Sequence, residues 1–192
     1  MSEAALGPDG RLRCPWALSA ADYVSYHDDE WGRPVADDDA MFERLTLEAF
    51  QSGLSWLVIL RKRPAFRAAF DGFRIERVAR YTDRDVERLL GDSGIVRNRA
   101  KIEAAIANAR AAAELPHGLH AHLKSFAPTE PHPAPRTTAD VRSSSPESVA
   151  MAKDLRRRNF RFVGSVTGYA LMQATGLVDD HLADCWCRRG GH

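Results

Sequence analysis

Between Leu155 and Cys187 the sequence reads LRRRNFRFVGSVTGYALMQATGLVDDHLADCWC, and this stretch limits the possible folds more than any other. A basic helix end, Arg156-Arg157-Arg158, runs into a turn from Asn159 to Gly164, and a second helical run starts near Ser165. Apolar residues flank the turn, and Gly164 can bring its backbone close to a partner or adopt positive φ. The helix after the turn offers unpaired N–H groups and a positive dipole end, which suit a phosphate. Arg158 and Arg161 are near enough in sequence to add charge there. This is the pattern of a helix–hairpin–helix, which grips a nucleic-acid backbone without reading bases. An ordinary helical hairpin with solvated arginines is the plainer alternative.

The same stretch ends with His181 and Cys185, four apart, so that on a helix both would reach one metal ion. Near the other end stand Cys14 and His27. The four make a Cys2His2 set, enough for a closed tetrahedral zinc (Zn2+) site that fastens the two termini together and leaves no position for water. Cys187 is a competing ligand, and a Cys14–Cys185 disulfide is the alternative without metal. Three cysteines are an odd number and do not read as a disulfide framework, whereas thiolate ligands suit a reducing compartment.

The N-terminus lacks the basic-then-apolar order of a signal peptide, and no apolar run is long enough to span a membrane. A cytoplasmic, monomeric protein with no membrane contact is therefore expected. With 192 residues and 44% hydrophobic content, the chain can bury one core of ordinary size or two small helical lobes sharing an interface. The net charge of +1 does not announce a nucleic-acid binder, but basic clusters at 61–63, 97–101 and 156–161 are offset by acidic ones at 28–30, 37–39 and 83–87. If the basic clusters share a face, they form a local electrostatic footprint.

Taken in order, residues 1–12 read as a flexible lead-in to a globular domain over 13–187, with a short tail at 188–192. Ser19 is placed to cap a helix through Tyr23 and His27 that stops near Gly32 and Pro34. Asp37 to Asp39 load the start of the next helix, whose Phe42, Leu45, Ala49 and Leu54 recur at helical spacing. The apolar run Leu54 to Leu60 is read as helix, and Pro64 as the start of another short one. Thr82 to Asp85 resembles a capping box, and an alanine-rich helix runs from about Asn98 to Glu114 with Ile102 and Ile106 inward. Residues 116–145 are a Pro-rich connection whose His120 and His122 have no assigned role. Ser145 and Pro146 start a helix to Arg158. No convincing β-hairpin appears, and the fold class expected is all-α.

A second constellation is aromatic: Trp16, Tyr23, Tyr26, Trp31 and Trp56, with Glu48 among apolar neighbours on the helix between them. Acidic side chains are rarely buried without a partner or a task. A carboxylate inside an aromatic box suits a flat, electron-poor, nitrogen-bearing ligand, since rings stack on it and attract its charge. Core packing with a solvated Glu48 is the alternative.

Several motifs agree in order and spacing with one family. Arg13-Cys14-Pro15-Trp16, Tyr26-His27-Asp28-Asp29-Glu30-Trp31-Gly32, Leu47-Glu48, Gln51 to Trp56, Gly94 to Arg97, Phe160 to Gly164 and Gly176 to His181 resemble the DNA-3-methyladenine glycosylase I family. The resemblance runs from about Arg13 to Cys187. It implies a helix–hairpin–helix glycosylase fold with structural zinc on Cys14, His27, His181 and Cys185. It implies a pocket of Trp16, Tyr26, Trp56 and Glu48, with Tyr23 and Trp31 in its wall. There Glu48 and Tyr26 hydrogen-bond the excised base, and Trp16 and Trp56 stack on it. Leu54, with Gln51, fills the gap left in double-stranded DNA, and Arg158, Arg161 and Gly164 hold the backbone. Val166 stands where strand-cleaving relatives carry a lysine nucleophile, so no lyase activity is expected. Asp179 occupies a position resembling that of the wider superfamily's catalytic aspartate, with a helix cap as the simpler reading. A non-catalytic, zinc-stabilised DNA-binding module is the rival reading; it needs the phosphate grip but no aromatic box.

Overall fold

The computed structural model describes residues 2–188. Its first regular element corrects the sequence reading: β1 (Ala5–Leu6) pairs antiparallel with β2 (Leu12–Arg13), so the lead-in holds a hairpin. Gly10 at φ 79 makes its turn, and each strand is only two residues long, too short for an alternating pattern to show. Arg13 ties the hairpin down through charge-assisted bonds to Asp9 at 2.6 Å and to Asp28 at 2.7 Å.

A 3-10 turn at Pro15–Ser19 leads to α1 (Ala21–Asp29). Ser19 does not cap that helix; its hydroxyl donates to Trp16 O at 2.7 Å, and Ala20 is the N-cap. The next helix, α2 (Asp38–Gln51), is the one around which the others gather. Its N-cap Asp37 accepts from Ala40 N at 2.8 Å, and Asp38 and Asp39 lie at the positive dipole end. Leu45 to Phe50 are all buried, because α2 packs against α3 (Trp56–Ala69), α4 (Ile75–Val78), α6 (Arg99–Ala113), α7 (Gly118–Lys124) and α9 (Ser165–Ala174). The second half of this helix leaves no solvent face for an acid.

Pro64 lies inside α3 and does not begin a separate helix. Leu54, expected in the core, is 40% exposed in the loop between α2 and α3. The capping box at Thr82 and Asp85 is present at the start of α5 (Asp83–Gly91), and Asn98 caps α6 by accepting from Lys101 N. Part of the Pro-rich connection is also helical. Within it α7 buries Leu119 and Leu123, and His122 Nε2 meets Asp154 Oδ2 at 2.8 Å on α8 (Pro146–Arg157). The core joins the faces of α2, α3, α6 and α9 around Phe42, Phe50, Phe66, Phe70, Ile102 and Tyr169.

The turn between α8 and α9 has its left-handed residues at Asn159 (φ 66) and Phe162 (φ 56), not at Gly164, whose φ is −88. The side chain of Asn108, 1% exposed on α6, holds this turn from within: its Oδ1 accepts from Arg161 N at 2.7 Å and its Nδ2 donates to Arg161 O at 3.0 Å. Beyond α9 the described residues form turns and no helix, so His181 and Cys185 do not share a helix face. Asp179 Oδ1 accepts from His181 N at 3.1 Å, a turn contact in place of the helix cap. Of the supposed tail, Arg188 donates to His181 O at 2.5 Å, while 189–192 lie outside the described residues.

Candidate active site

A cavity of about 270 Å³ is lined by Trp16, Tyr23, Tyr26, Trp31, Glu48, Gln51 and Trp56, with Ala170 and Gln173 of α9. The 3-10 turn supplies Trp16, α1 supplies both tyrosines, α2 supplies Glu48 and Gln51, and Trp56 is the first residue of α3. Trp16 lies edge-on to Tyr23 at 5.6 Å and to Trp31 at 5.2 Å, and Tyr26 meets Trp56 at 5.4 Å. Such edge and tilted contacts fix ring orientation while leaving faces free to stack on a guest.

Glu48 is 6% exposed, and its carboxyl makes no hydrogen bond among the described residues. Burial pushes its pKa up to about 8, against a small opposing pull from the Arg44 guanidinium. Trp56 Nε1 is likewise buried without a partner. Burial, and then the nearby Glu48, drive the Tyr26 hydroxyl well above the usual phenol range, so it stays a donor. A buried acid left unpaired is costly unless something else meets it. Arg44 is itself held by Glu30 at 2.7 Å, where Arg63 binds the same carboxylate. The Nη2 of Arg44 is the atom so engaged, and no hydrogen bond joins Arg44 to Glu48 among the described residues.

Beside the cavity, ligand atoms of Cys14, His27, His181 and Cys185 all lie within 4.8 Å of one another, and all four residues are buried. Cys185 Sγ is 3.4 Å from His27 Nε2 and 3.5 Å from His181 Nδ1, and Cys14 Sγ is 3.8 Å from the latter. Ordinary metal–sulfur and metal–nitrogen bonds at tetrahedral angles separate such atoms by about 3.5 Å. The donor set therefore fits a metal ion. Cys187 Sγ lies 3.8 Å from His27 Nδ1, the ring nitrogen that faces Asp28 at 2.8 Å. The two sites touch: Trp16 packs on His27 at 5.2 Å and Trp31 on His181 at 4.6 Å.

Arg158 and Arg161, with Arg110 and Arg156, line a groove of about 410 Å³ between the C-terminal ends of α6 and α8, to which Gly164 does not contribute. Arg158 Nε donates to Asp154 at 2.9 Å. A Cβ placed on Gly164 would meet nothing within 4 Å, so nothing inside the protein demands glycine there. Leu54 lies outside the cavity lining and Gln51 within it. Val166 is 60% exposed on the first turn of α9. A larger groove of about 990 Å³ near α4 and α7 is lined by charges of both signs and has no aromatic wall.

The family model for methyladenine glycosylase matches residues 16–189. The chain belongs to the methyladenine glycosylase family. Among its relatives in this family, DNA-3-methyladenine glycosylase 1 of Escherichia coli (strain K12) is 41% identical over 182 residues, which cover 93% of this chain and 97% of the relative. A crystal structure of 3-methyladenine DNA glycosylase I superposes with a TM-score of 0.87 at 41% identity, covering 92% of this chain and 99% of that one. The Staphylococcus aureus glycosylase I, solved for the structural basis of 3-methyladenine recognition, gives 0.86 at 33% identity over 92% of this chain and 96% of its own. The mostly helical fold is thus that of solved methyladenine glycosylases. Sequence reasoning missed Ala170 and Gln173 in the cavity wall. The one signal available was Gln173 as a polar residue inside the otherwise apolar run Tyr169 to Ala174.

Proposed function

We propose that this protein is a DNA-3-methyladenine glycosylase that hydrolyses the N-glycosidic bond of 3-methyladenine in alkylated double-stranded DNA. The observation that carries the reading is Glu48, buried without a hydrogen bond in an aromatic cavity and thus needing a guest to satisfy it. A base in duplex DNA reaches such a cavity only when rotated out of the stack, at a cost of about a few kcal/mol. Leu54 and Gln51 fill the gap, while Arg158, Arg161 and the backbone at Gly164, in a helix–hairpin–helix grip, hold the phosphates.

In the cavity Trp16 and Trp56 stack on the purine, Tyr23 and Trp31 close its walls, and Glu48 and Tyr26 hydrogen-bond its edge. The methylated base is already cationic, so the bond to the sugar breaks with less help than in neutral adenine. The cation draws Glu48 into its charged form, and that partnership strengthens selectivity for alkylated bases. Water then attacks an oxocarbenium-like sugar. With Val166 in place of a lysine, no Schiff base forms, and borohydride should trap no protein–DNA adduct.

Cys14, His27, His181 and Cys185 would hold a structural Zn2+, which supplies cross-linking and no chemistry at the base. A monomer in the cytoplasm suits these assignments, and no described helix is long and apolar enough to cross a membrane. The test is incubation with methylated DNA and chromatography of the released bases. Release of 3-methyladenine is expected; release of no base would overturn the reading.

A further inference from the structure

One polar group in the cavity wall has no part in this scheme. Gln173 lies one helical turn from Ala170 on α9, and both line the cavity. Gln173 Nε2 donates to Asp180 Oδ2 at 2.8 Å, and the Tyr169 hydroxyl donates to the same oxygen at 2.8 Å. Asp180 is 5% exposed and Tyr169 1%, so this anchor is shielded from water. Both bonds end on the one oxygen Oδ2, which accepts from the hydroxyl and from the amide, so the amide turns its NH2 toward Asp180. Flipping it would set two oxygens against each other in a buried place. The carbonyl oxygen is then the half of the amide left for a guest.

Position agrees with this. Val166 stands in the first turn of α9 beside the proposed phosphate grip, and Gln173 follows seven residues later. That spacing is about 10 Å along the helix axis. Gln173 therefore lies about two helical turns along α9 from the proposed backbone grip, on the stretch of the helix that lines the cavity.

We propose that Gln173, locked by Asp180, offers its amide oxygen to the bound base as a fixed acceptor and so selects 6-amino over 6-oxo purines. The inference rests on the base-binding reading above. A 6-amino group donates, whereas a 6-oxo group opposes one acceptor with another and leaves both unpaired in a desolvated site. Gln173, with its orientation fixed, meets only donors.

The experiment is titration of the full chain with free 3-methyladenine and free 3-methylguanine, read by tryptophan quenching. Wild type should bind 3-methyladenine more tightly. Gln173→Met should weaken 3-methyladenine about tenfold, the size of one lost hydrogen bond, and should not weaken 3-methylguanine, which loses an opposing acceptor. Gln173→Ala, a substitution α9 accepts readily, should give the same pattern if the bulkier variant fails to fold. Asp180→Asn, whose own amide lets Gln173 face either way, should narrow the preference. Equal loss for both bases, or an intact preference in the Gln173 variants, overturns the role of Gln173. If wild type binds neither base, the failure lies with the base-pocket reading itself.

Discussion

Burying Glu48 strips a carboxyl of water and gives it nothing in return, and a stability cost follows from that. Its folded pKa of about 8 lies above the ordinary 4.5, so the unfolded chain loses this proton first as pH rises. The group's favourable contribution is therefore complete below about pH 4.5, declines as pH rises, and is fully lost above about pH 8. Urea unfolding of wild type and Glu48→Gln should show wild type losing on the order of a few kcal/mol relative to the variant across that window. A stability difference that does not change with pH would refute the shifted acid. The same variant should excise 3-methyladenine about a hundredfold more slowly in single-turnover assays, since it cannot carry the charge that meets the cation.

At the scale of elements, side chains from α6 fix the two pieces that α6 itself does not form. Lys101, 9% exposed, donates to Phe50 O at 2.9 Å and Ser52 O at 2.5 Å, setting a cation on the negative end of α2 just before the loop to Trp56. Burial holds its pKa below the ordinary lysine value. Asn108 does the equivalent for the turn between α8 and α9, pairing with both backbone groups of Arg161. Asn108→Ala should lower stability by about 1–3 kcal/mol, because it removes two part-buried hydrogen bonds to the backbone of Arg161. It should also weaken duplex binding in a gel-shift assay while leaving free 3-methyladenine affinity unchanged, since the cavity lies elsewhere. Loss of both affinities together would show that the turn and the cavity are not independent.

For the whole molecule, the decisive join is between head and tail. Around the candidate metal site, among the described residues, Cys14, Leu182 and Cys185 form the buried apolar cluster, with Ala4, Trp16, Trp31, Val141 and Cys187 half-buried against it. With three fully buried members, this seam gains less from hydrophobic burial than the main core does. Metal binding would supply the difference. Chelation should lower the melting temperature by about 10 °C or more. Metal analysis should find about one zinc per chain in wild type and Cys187→Ser but none in Cys185→Ser, as a four-ligand closed site predicts. Zinc loss in Cys187→Ser would reassign the fourth ligand.

Local chemistry made much of this readable from residues alone. The capping box at Thr82, the N-cap at Asn98 and the Ser145-Pro146 start are short-range bonds between near neighbours, so sequence spacing suffices to specify them. The sequence also named Trp16, Glu48 and Trp56 as one group and paired Cys14 and His27 with His181 and Cys185. Other features depend on partners far along the chain. The hairpin at 5–13 is held by Asp28, and α7 is held at its start by Asp38, which accepts from His120 N at 2.7 Å. His181 and Cys185 meet through turns, and helical spacing matched their separation by coincidence. Gln173 shows locally only as a polar residue in an apolar run, and Asn108 as one in an alanine-rich helix; neither reveals its task, because an amide's task is set by what faces it. Near-neighbour chemistry was enough to specify several helix starts and the residue types that carry the chemistry, but not α7 or the continuity of α3 through Pro64. Tertiary packing alone decided that Glu48 would lie buried without a partner, since burial is a property of the neighbours brought to a residue and not of the residue.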